Sequence, residues 1–257
     1  MFPRHGGEIH GKYIQDDPIL LERAVSACKD GVCIPVTVKL NANCINVNEI
    51  TEACRRGGAD GIAATNTIAS IVSVDLATWR PVPASNGYST FGGYCGPALR
   101  PIALRFVAEI AKTTDLPISG MGGVQDWKNA VEFLLLGAST VQVATEVMLQ
   151  GYGIVSGLMQ NLNGYLESMA CAGIDEIKGK SLEYLVSSEE IDALIPARVA
   201  LVDEHKCTLC GLCVEPCRVG ATNAISMTNE HLFINEATCI GCGLCIIVCP
   251  FDALQVH

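Results

Sequence analysis

The sequence predicts an α/β protein that joins the C-terminal half of a (β/α)8 barrel of the TIM type to a small α+β domain. Two observations predict this architecture. Short apolar runs alternate with helical patterns as far as about residue 170, which is typical of a parallel sheet. Eight cysteines then follow in two runs of the same spacing. We expect a partial barrel over residues 1–170, a polar linker over 171–198 and a second domain over 199–257.

Four buried strands are predicted in the first unit, because each is a short run of apolar or small residues. Helical patterns follow them, with Asn46 and Asp126 as candidate N-caps, Pro101 in a first turn and a long helical stretch to about Met169. A (β/α)8 barrel takes about 250 residues and eight strands. The four strands therefore predict half a barrel. They are predicted over residues 34–40, 61–65, 116–120 and 140–144.

The two cysteine runs share the spacing C-x2-C-x2-C-x3-C, which matches the bacterial ferredoxins that hold two [4Fe–4S] clusters. Three closely spaced thiolates can wrap one cubane, while the fourth is carried onward to its neighbour. One cluster is therefore expected on Cys207, Cys210, Cys213 and Cys249, and the other on Cys239, Cys242, Cys245 and Cys217. Zinc-binding cysteine pairs usually lack a third cysteine at the same spacing, which disfavours a zinc site. Disulfide bonds are the other alternative. The six remaining cysteines show no metal spacing and are expected to be small buried hydrophobes.

The composition excludes several classes of function. A net charge of −10 argues against nucleic acid and against anionic membrane surfaces, because no basic stripe is present to neutralise phosphates. The first residues contain no apolar segment of the kind found in signal peptides, and no apolar run approaches the roughly 18 residues of a membrane span. Cluster cysteines favour a reducing compartment. We expect a cytoplasmic protein.

Polar and small residues follow the predicted strands, where parallel sheets place their ligands. Lys39 ends the first strand. Its ammonium group could stabilise a reduced flavin, or it could form a salt bridge at the strand end. Asn66 and Thr67 end the second strand and suit an imide-like ring edge, although such a pair can also cap a strand. A glycine-rich turn over 119–123, followed by Ala144 and Thr145 after the next strand, could bind an anion. A further glycine-rich segment over 92–96 could form a cofactor wall or an ordinary turn.

Three segments resemble the dihydropyrimidine dehydrogenases, specifically the FMN and iron–sulfur subunit of the bacterial NAD-dependent type. They are residues 59–67, 93–105 and 117–123. The resemblance implies a barrel like that of dihydroorotate dehydrogenase, FMN as a cofactor and reduction of uracil or thymine at the 5,6 double bond, or the reverse. It also implies a partner subunit that binds FAD and NAD(P)H. Lys39 would then contact the flavin, Asn66 and Thr67 would bind the pyrimidine, and the FMN would be lined by Gly93, Gly122, Gly123, Ala144 and Thr145.

The chain departs from this family in two respects. In the mammalian-type enzymes a cysteine protonates the pyrimidine, and the corresponding residue here is Ile14, which cannot donate a proton. Tyr13, Asp16 and Cys95 are the candidate replacements. The chain also begins about where the fourth barrel strand of the family ends. We therefore expect a fragment, a misassigned start or a piece that needs a complementing partner. Its FMN affinity should be poor, and an inactive truncated chain is one of the expected outcomes.

Two other functions remain open. A ferredoxin-like electron carrier on a catalytically silent half-barrel is favoured by Ile14 and by the expected absence of four strands. A dihydroorotate dehydrogenase-like enzyme would keep the barrel and the flavin and change only the substrate. The response of a bound flavin to uracil, thymine and orotate would separate these functions.

Overall fold

The computed structural model describes residues 14–44, 46–194, 198–220 and 222–256, without the side chains of 192–194. The chain forms two compact units, the first ending at Leu185 and the second beginning at Val186. No helix in the described part of the chain is both long enough and apolar enough to cross a membrane.

The first unit alternates strands and helices as predicted. Its elements, in chain order, are α1 Pro18–Asp30, β1 Thr37–Asn41, α2 Val47–Arg56, β2 Gly61–Asn66, β3 Ile68–Ser70, β4 Ser73–Asp75, β5 Arg80–Val82, β6 Gly92–Tyr94, α3 Arg100–Thr113, β7 Ile118–Met121, α4 Trp127–Leu135, β8 Thr140–Gln142, α5 Thr145–Gln150 and α6 Gly153–Ser168.

The central sheet has four parallel strands in the order β1-β2-β7-β8. Each strand is followed by a helix, which is the repeating unit of a (β/α)8 barrel, and the carboxyl ends of all four strands lie at one edge. The α/β prediction is confirmed. No closed barrel forms within the described residues, since these strands are one row with β1 and β8 at its two ends.

Local sequence explains where the helices begin. Asp17 accepts hydrogen bonds from the N–H groups of Ile19 and Leu20, so it caps α1, with Pro18 in the first turn. The predicted caps Asn46 and Asp126 do the same for α2 and α4. The long helical stretch predicted to about Met169 is divided into two helices, α5 and α6. Gly151 has φ = 78° and separates α5 from α6, because this left-handed conformation ends a helix.

The core of the first unit lies between the sheet and α1–α4. Its largest fully buried side chains include Phe106, Phe133, Leu40 and Ile62. A second apolar cluster joins α4, α6 and the chain that follows, because Ile177 packs with Val131, Leu134 and Leu166. Residues 171–185 therefore belong to the first unit, although the predicted linker began at 171. Whether the chain from 186 to 198 acts as a linker stays a prediction.

Between β2 and α3 the chain forms an arm of two antiparallel strand pairs, where a long loop was predicted. β3 pairs with β6, and β4 pairs with β5. The sequence signal was weak because each strand is only three residues long. The arm returns residues 92–96 to the end of β2.

The second unit is built on a repeat of the cysteine run. Its elements are α7 Ser188–Leu194, β9 Ala200–Val202, α8 Val214–Val219, β10 Ile225–Met227, β11 Leu232–Ile234, α9 Leu244–Ile247 and β12 Leu254–Val256. β9 pairs with β12 and β10 pairs with β11, both antiparallel. The third and fifth positions of both runs have positive φ. They are Leu209 and Gly211 in the first run and Gly241 and Gly243 in the second. The two loops therefore share one backbone path.

Candidate active site and cluster sites

The carboxyl edge of the central sheet contains a cavity of about 170 Å³. This volume is below the range of about 300–1,000 Å³ typical of cofactor sites, so the described residues would enclose only part of a flavin. Most of the residues singled out from sequence lie in its wall. They are Lys39, Asn66, Thr67, Cys95, Gly122, Gly123, Ala144 and Thr145.

The register of β1 and β2 aligns Lys39 with Ala63, three residues before Asn66, and Lys39 and Asn66 both line the cavity. Asn41 lies opposite Asn66, so both strands end together. Gln15 holds the end of β1 with two hydrogen bonds to Asn41, donating to its carbonyl at 2.9 Å and accepting from its N–H at 2.8 Å. The buried Thr65 hydroxyl accepts from the N–H of Ala42 at 2.9 Å. The Thr65 bond joins the ends of β1 and β2, and the Gln15 bonds hold the 3-10 turn Ile14–Asp16 against the end of β1.

The side chains of Asn66 and Thr67 are oriented by the local backbone. Asn66 Oδ1 accepts from the N–H of Thr67 at 2.9 Å. Gly93 does not line the cavity but lies against Thr67, because a Cβ at position 93 would stand 2.3 Å from Thr67 Oγ1. Thr67 therefore needs glycine at this place on β6. The predicted role of Gly93 in lining FMN stays a prediction.

The glycine turn after β7 presents backbone donors to the cavity. Gly122 and Gly123 have φ of 130° and 71°, which favour glycine. Among the described residues neither N–H group makes a hydrogen bond, so both could bind an anion. Arg100 lies behind the turn, where its guanidinium donates to the Gly123 carbonyl at 3.4 Å and pairs with Glu132 at 3.1 Å. This donor set fits the phosphate of FMN.

The structure separates the candidate proton donors. Cys95 is exposed and lines the cavity. Asp16 is exposed on the 3-10 turn Ile14–Asp16 and does not line it. Ile14 packs against the core, as expected of its apolar side chain. Tyr13 lies outside the described residues.

Sequence reasoning missed residues of the cavity wall, including Gln142 and Glu146, whereas Met121 lies in the predicted turn over 119–123. Gln142 ends β8, so its place at the strand end was a usable signal. Glu146 follows Thr145 in the first turn of α5 and is 6% exposed. A glutamate at a helix start is usually exposed to solvent, so no local pattern predicts its burial.

In the second unit the eight run cysteines line two small cavities of about 20 Å³ each. One is lined by Cys207, Cys210, Cys213 and Cys249, and the other by Cys217, Cys239, Cys242 and Cys245. These are the two crossed sets expected from the spacing. Within the described residues no three His, Cys, Asp or Glu side chains converge on one metal position. Each set instead surrounds a space, as a cubane requires when every thiolate binds a different iron.

Backbone donors already point at several of these sulfurs. The N–H groups of Ala224, Ala200 and Ala253 donate to Cys217, Cys239 and Cys249 at 3.2, 3.4 and 3.4 Å. Such bonds tune the potential of a cluster. Burial raises the pKa of the Cys213 thiol to about 11 and also raises the pKa of Cys245. Iron must therefore supply the free energy that deprotonates these two thiols.

Comparison with known proteins assigns both units to families. The dihydroorotate dehydrogenase family profile matches residues 8–166, which is more than half of the 257-residue chain. The profile of a 4Fe-4S dicluster domain matches residues 200–256. These bounds lie within the two compact units.

Individual relatives divide into two groups. The chain is 36% identical over 233 residues to the NAD-dependent dihydropyrimidine dehydrogenase subunit PreA of Escherichia coli, covering 89% of this chain and 56% of that protein. It is 36% identical over 208 residues to the chloroplastic dihydropyrimidine dehydrogenase (NADP(+)) of Arabidopsis thaliana, covering 79% and 48%. It is 39% identical over 170 residues to the catalytic subunit of dihydroorotate dehydrogenase B (NAD(+)) of Pyrococcus furiosus, covering 66% and 55%. The chain thus spans about half the length of these relatives.

Proposed function

Because the chain belongs to the dihydroorotate dehydrogenase family and carries a 4Fe-4S dicluster domain, we propose that it acts as the iron–sulfur flavoprotein subunit of a pyrimidine-reducing enzyme. The reaction would be the NAD(P)-linked reduction of uracil or thymine to the 5,6-dihydropyrimidine, or its reverse. The similarity to dihydropyrimidine dehydrogenases supports this substrate class, since the match to the E. coli subunit extends over 89% of the chain.

The observation that carries the proposal is the composition of the cavity at the sheet edge. A cation, Lys39, and the side chains of Asn66 and Thr67 share this cavity with the free N–H groups of Gly122 and Gly123. An FMN needs a cation near its pyrimidine end and donors for its phosphate. The adjacent amide and hydroxyl could bind the edge of a pyrimidine base.

Bound FMN would supply hydride chemistry at the 5,6 double bond of the base. Lys39 would stabilise negative charge on the ring system nearest β1. Asn66 and Thr67 would hold the base so that the correct carbon faces the cofactor. Reduction also requires a proton on the neighbouring carbon, and one side chain must donate it.

We propose that Cys95 donates this proton. The antiparallel pair β3–β6 ends with Ile68 opposite Tyr94, and Thr67 and Cys95 are the residues next to this last pair. Its thiol is exposed and lines the same cavity. Asp16 does not line the cavity, and Ile14 has no proton to donate. Cys95 is therefore the described candidate with access to the base.

The two clusters would carry electrons singly between this site and a partner. That partner would be a subunit that binds FAD and NAD(P)H, in keeping with the E. coli relative, which is named as a subunit of an NAD-dependent enzyme. One-electron carriers are suited to link two flavins, since each flavin accepts or releases electrons one at a time or in pairs.

A dihydroorotate dehydrogenase activity is the second candidate. It is favoured by the 39% identity to the P. furiosus catalytic subunit. That match covers 66% of the chain over 170 residues, whereas the match to the dihydropyrimidine dehydrogenase subunit covers 89%. We therefore place it second.

The test is anaerobic purification of the full chain with iron, sulfide and flavin quantified, followed by visible spectra with uracil, dihydrouracil, orotate and dihydroorotate. We expect about eight irons per chain, and an FMN whose absorbance responds to uracil or dihydrouracil. A response to orotate or dihydroorotate alone would establish the second candidate. Iron without any flavin binding after addition of FMN would leave a ferredoxin-like electron carrier and reject the enzyme proposal.

A further inference from the structure

Glu146 is a carboxylate enclosed in the wall of the cavity. It is 6% exposed, lines the cavity and lies at the start of α5, immediately after the end of β8. Its side chain accepts a hydrogen bond from Gln150, which is neutral. In the described part of the chain no lysine or arginine forms an ion pair with it. A charge buried in this way is poorly screened by water.

The cation of the cavity lies at the opposite edge of the sheet. Lys39 belongs to β1, whereas Glu146 follows β8, and the sheet order β1-β2-β7-β8 puts three strand spacings between them. With about 4.8 Å per spacing, the two strands are about 14 Å apart. Lys39 therefore does not neutralise Glu146. Among the described residues that line the cavity, the charged side chains are Lys39 at the β1 end and Glu146 at the β8 end. Arg100, behind the glycine turn, does not line the cavity and is paired with Glu132.

The donors that fit a phosphate lie toward the β8 end of the cavity. Gly122 and Gly123 follow β7, which is the direct neighbour of β8, and Thr145 precedes Glu146 in the chain. A phosphate bound there would carry up to two negative charges close to the buried carboxylate. An uncharged hydroxyl at the same place could instead donate a hydrogen bond to that carboxylate.

We propose that Glu146 is a specificity-determining residue of the flavin site, which weakens the binding of phosphorylated FMN relative to riboflavin. This inference rests on the proposed flavin site and concerns the choice between two flavins that differ only in the phosphate. The flavin ring, at the Lys39 end, is common to both. A change of charge at position 146 should thus alter the affinity for FMN and leave the affinity for riboflavin almost unchanged.

The experiment measures the Kd of FMN and of riboflavin for the flavin-free full chain, from the change in flavin fluorescence on binding. The variants are Glu146→Gln, which removes the charge and keeps the shape and the contact with Gln150, and Glu146→Ala. Glu167→Gln is the matched control, because it removes the same charge from an exposed position on α6. Because Glu146 and the two glycines line one cavity at the ends of adjacent strands, Coulomb repulsion predicts that Glu146→Gln lowers the Kd of FMN by about tenfold or more. The Kd of riboflavin should change by less than about twofold in Glu146→Gln, since riboflavin lacks the charge on which repulsion depends and its hydroxyl can donate to the glutamine carbonyl as it would to the carboxylate.

The result can overturn the inference in three distinguishable ways. If both flavins bind and Glu146→Gln leaves the ratio of their Kd values unchanged, the inference is wrong while the flavin site stands. If neither flavin binds to any variant of a correctly folded chain, the flavin site is rejected and the inference with it. If Glu167→Gln lowered the Kd of FMN as much as Glu146→Gln does, the effect would come from the overall charge of the protein. This result would also overturn the inference.

Discussion

Gly93 of β6 and Thr67, the residue before β3, are in direct contact, although 26 residues separate them in sequence. A Cβ on Gly93 would lie 2.3 Å from Thr67 Oγ1 and 2.8 Å from Thr67 Cβ. No side chain fits there unless Thr67 or the whole of β6 moves. The arm and the proposed pyrimidine-binding residue are thus coupled by contact.

This contact predicts different outcomes for two neighbouring glycines. Gly93→Ala should displace Thr67 and raise the Kd of a pyrimidine by about tenfold or more, with about 1–3 kcal/mol lost from the free energy of unfolding. Gly92→Ala is the control, because nothing lies within 4 Å of its added methyl. Ligand titration and urea unfolding of both variants provide the measurement. Equal behaviour of the two variants would contradict the proposed role of Thr67.

A second pair of glycines tests the packing beneath the cavity. A Cβ on Gly120 of β7 would lie 2.7 Å from the ring of Phe133, which is fully buried. Gly120→Ala should therefore lower the free energy of unfolding by about 1–3 kcal/mol. Gly164→Ala on α6 meets nothing within 4 Å and should raise it by about 0.5–1 kcal/mol, because alanine favours helix. Denaturant unfolding that ranked the two variants in the opposite order would show that the sheet does not pack against α4 in this way.

The crossed cysteine sets predict which variants should resemble each other. Cys249→Ala should remove the same cluster as Cys207→Ala, since both residues line one cavity, although they belong to different runs. Iron should fall from about eight to about four per chain in both variants. Their residual electron paramagnetic resonance spectra should coincide and should differ from that of Cys239→Ala. Cys171→Ser, a cysteine of the first unit outside both cavities, is the control. A match between Cys249→Ala and Cys239→Ala would show that the runs bind separately.

The assignment of Cys95 predicts a loss of rate without a loss of cofactor. Cys95→Ala should slow the oxidation of the reduced flavin by uracil by about 10²–10⁴-fold, because no thiol remains to protonate the base. The content of FMN should not change. Cys28→Ala, another exposed cysteine that lies on α1 away from the cavity, should keep the full rate. Stopped-flow absorbance measures the rate of flavin oxidation in both variants. An unchanged rate in Cys95→Ala would exclude Cys95 as the proton donor.

The ion pair at the amino end of the sheet predicts a dependence of stability on pH. Asp60 accepts hydrogen bonds from Lys29 Nζ and from the N–H of Val36, both at 2.6 Å. The bond from Lys29, and then that from Val36, lowers the pKa of Asp60 below its ordinary value of 3.8. The stability that this pair contributes is complete above 3.8 and is lost as the pH falls through the lower pKa of the folded state. Asp60→Asn should thus destabilise the protein at neutral pH, and this effect should shrink in acid.

Urea unfolding between pH 7 and pH 3 would measure this effect. Asp30→Asn is the comparison, because Asp30 is an exposed aspartate at the end of α1. If the destabilisation by Asp60→Asn stayed constant over this range, the carboxylate would not be the group that gives the effect.

Much of the candidate site could be predicted from local sequence. Apolar runs mark the four strands of the sheet, and their last residues must meet at one edge because parallel strands share a direction. Lys39, Asn66, Gly122 and Thr145 could therefore be predicted to lie together before any contact was known. The cysteine spacing likewise indicates two clusters, since a short loop restricts which metal centre its thiolates can surround.

The features that distinguish this chain required the tertiary structure. The arm between β2 and α3 returns Gly93 and Cys95 to Thr67 through the pairing of β3 with β6. Strands of three residues are too short to be predicted from the sequence pattern. Glu146 is placed in a first helical turn, a common position for an exposed glutamate, yet the elements around it bury it at the β8 end of the cavity. The sequence by itself determined the elements, the strand ends and the cluster ligands proposed here, because these depend on periodicity and spacing within a few residues. Only the tertiary structure decided which distant residues share the cavity and which charge is buried there, because burial and contact depend on the packing of elements that lie far apart in the chain.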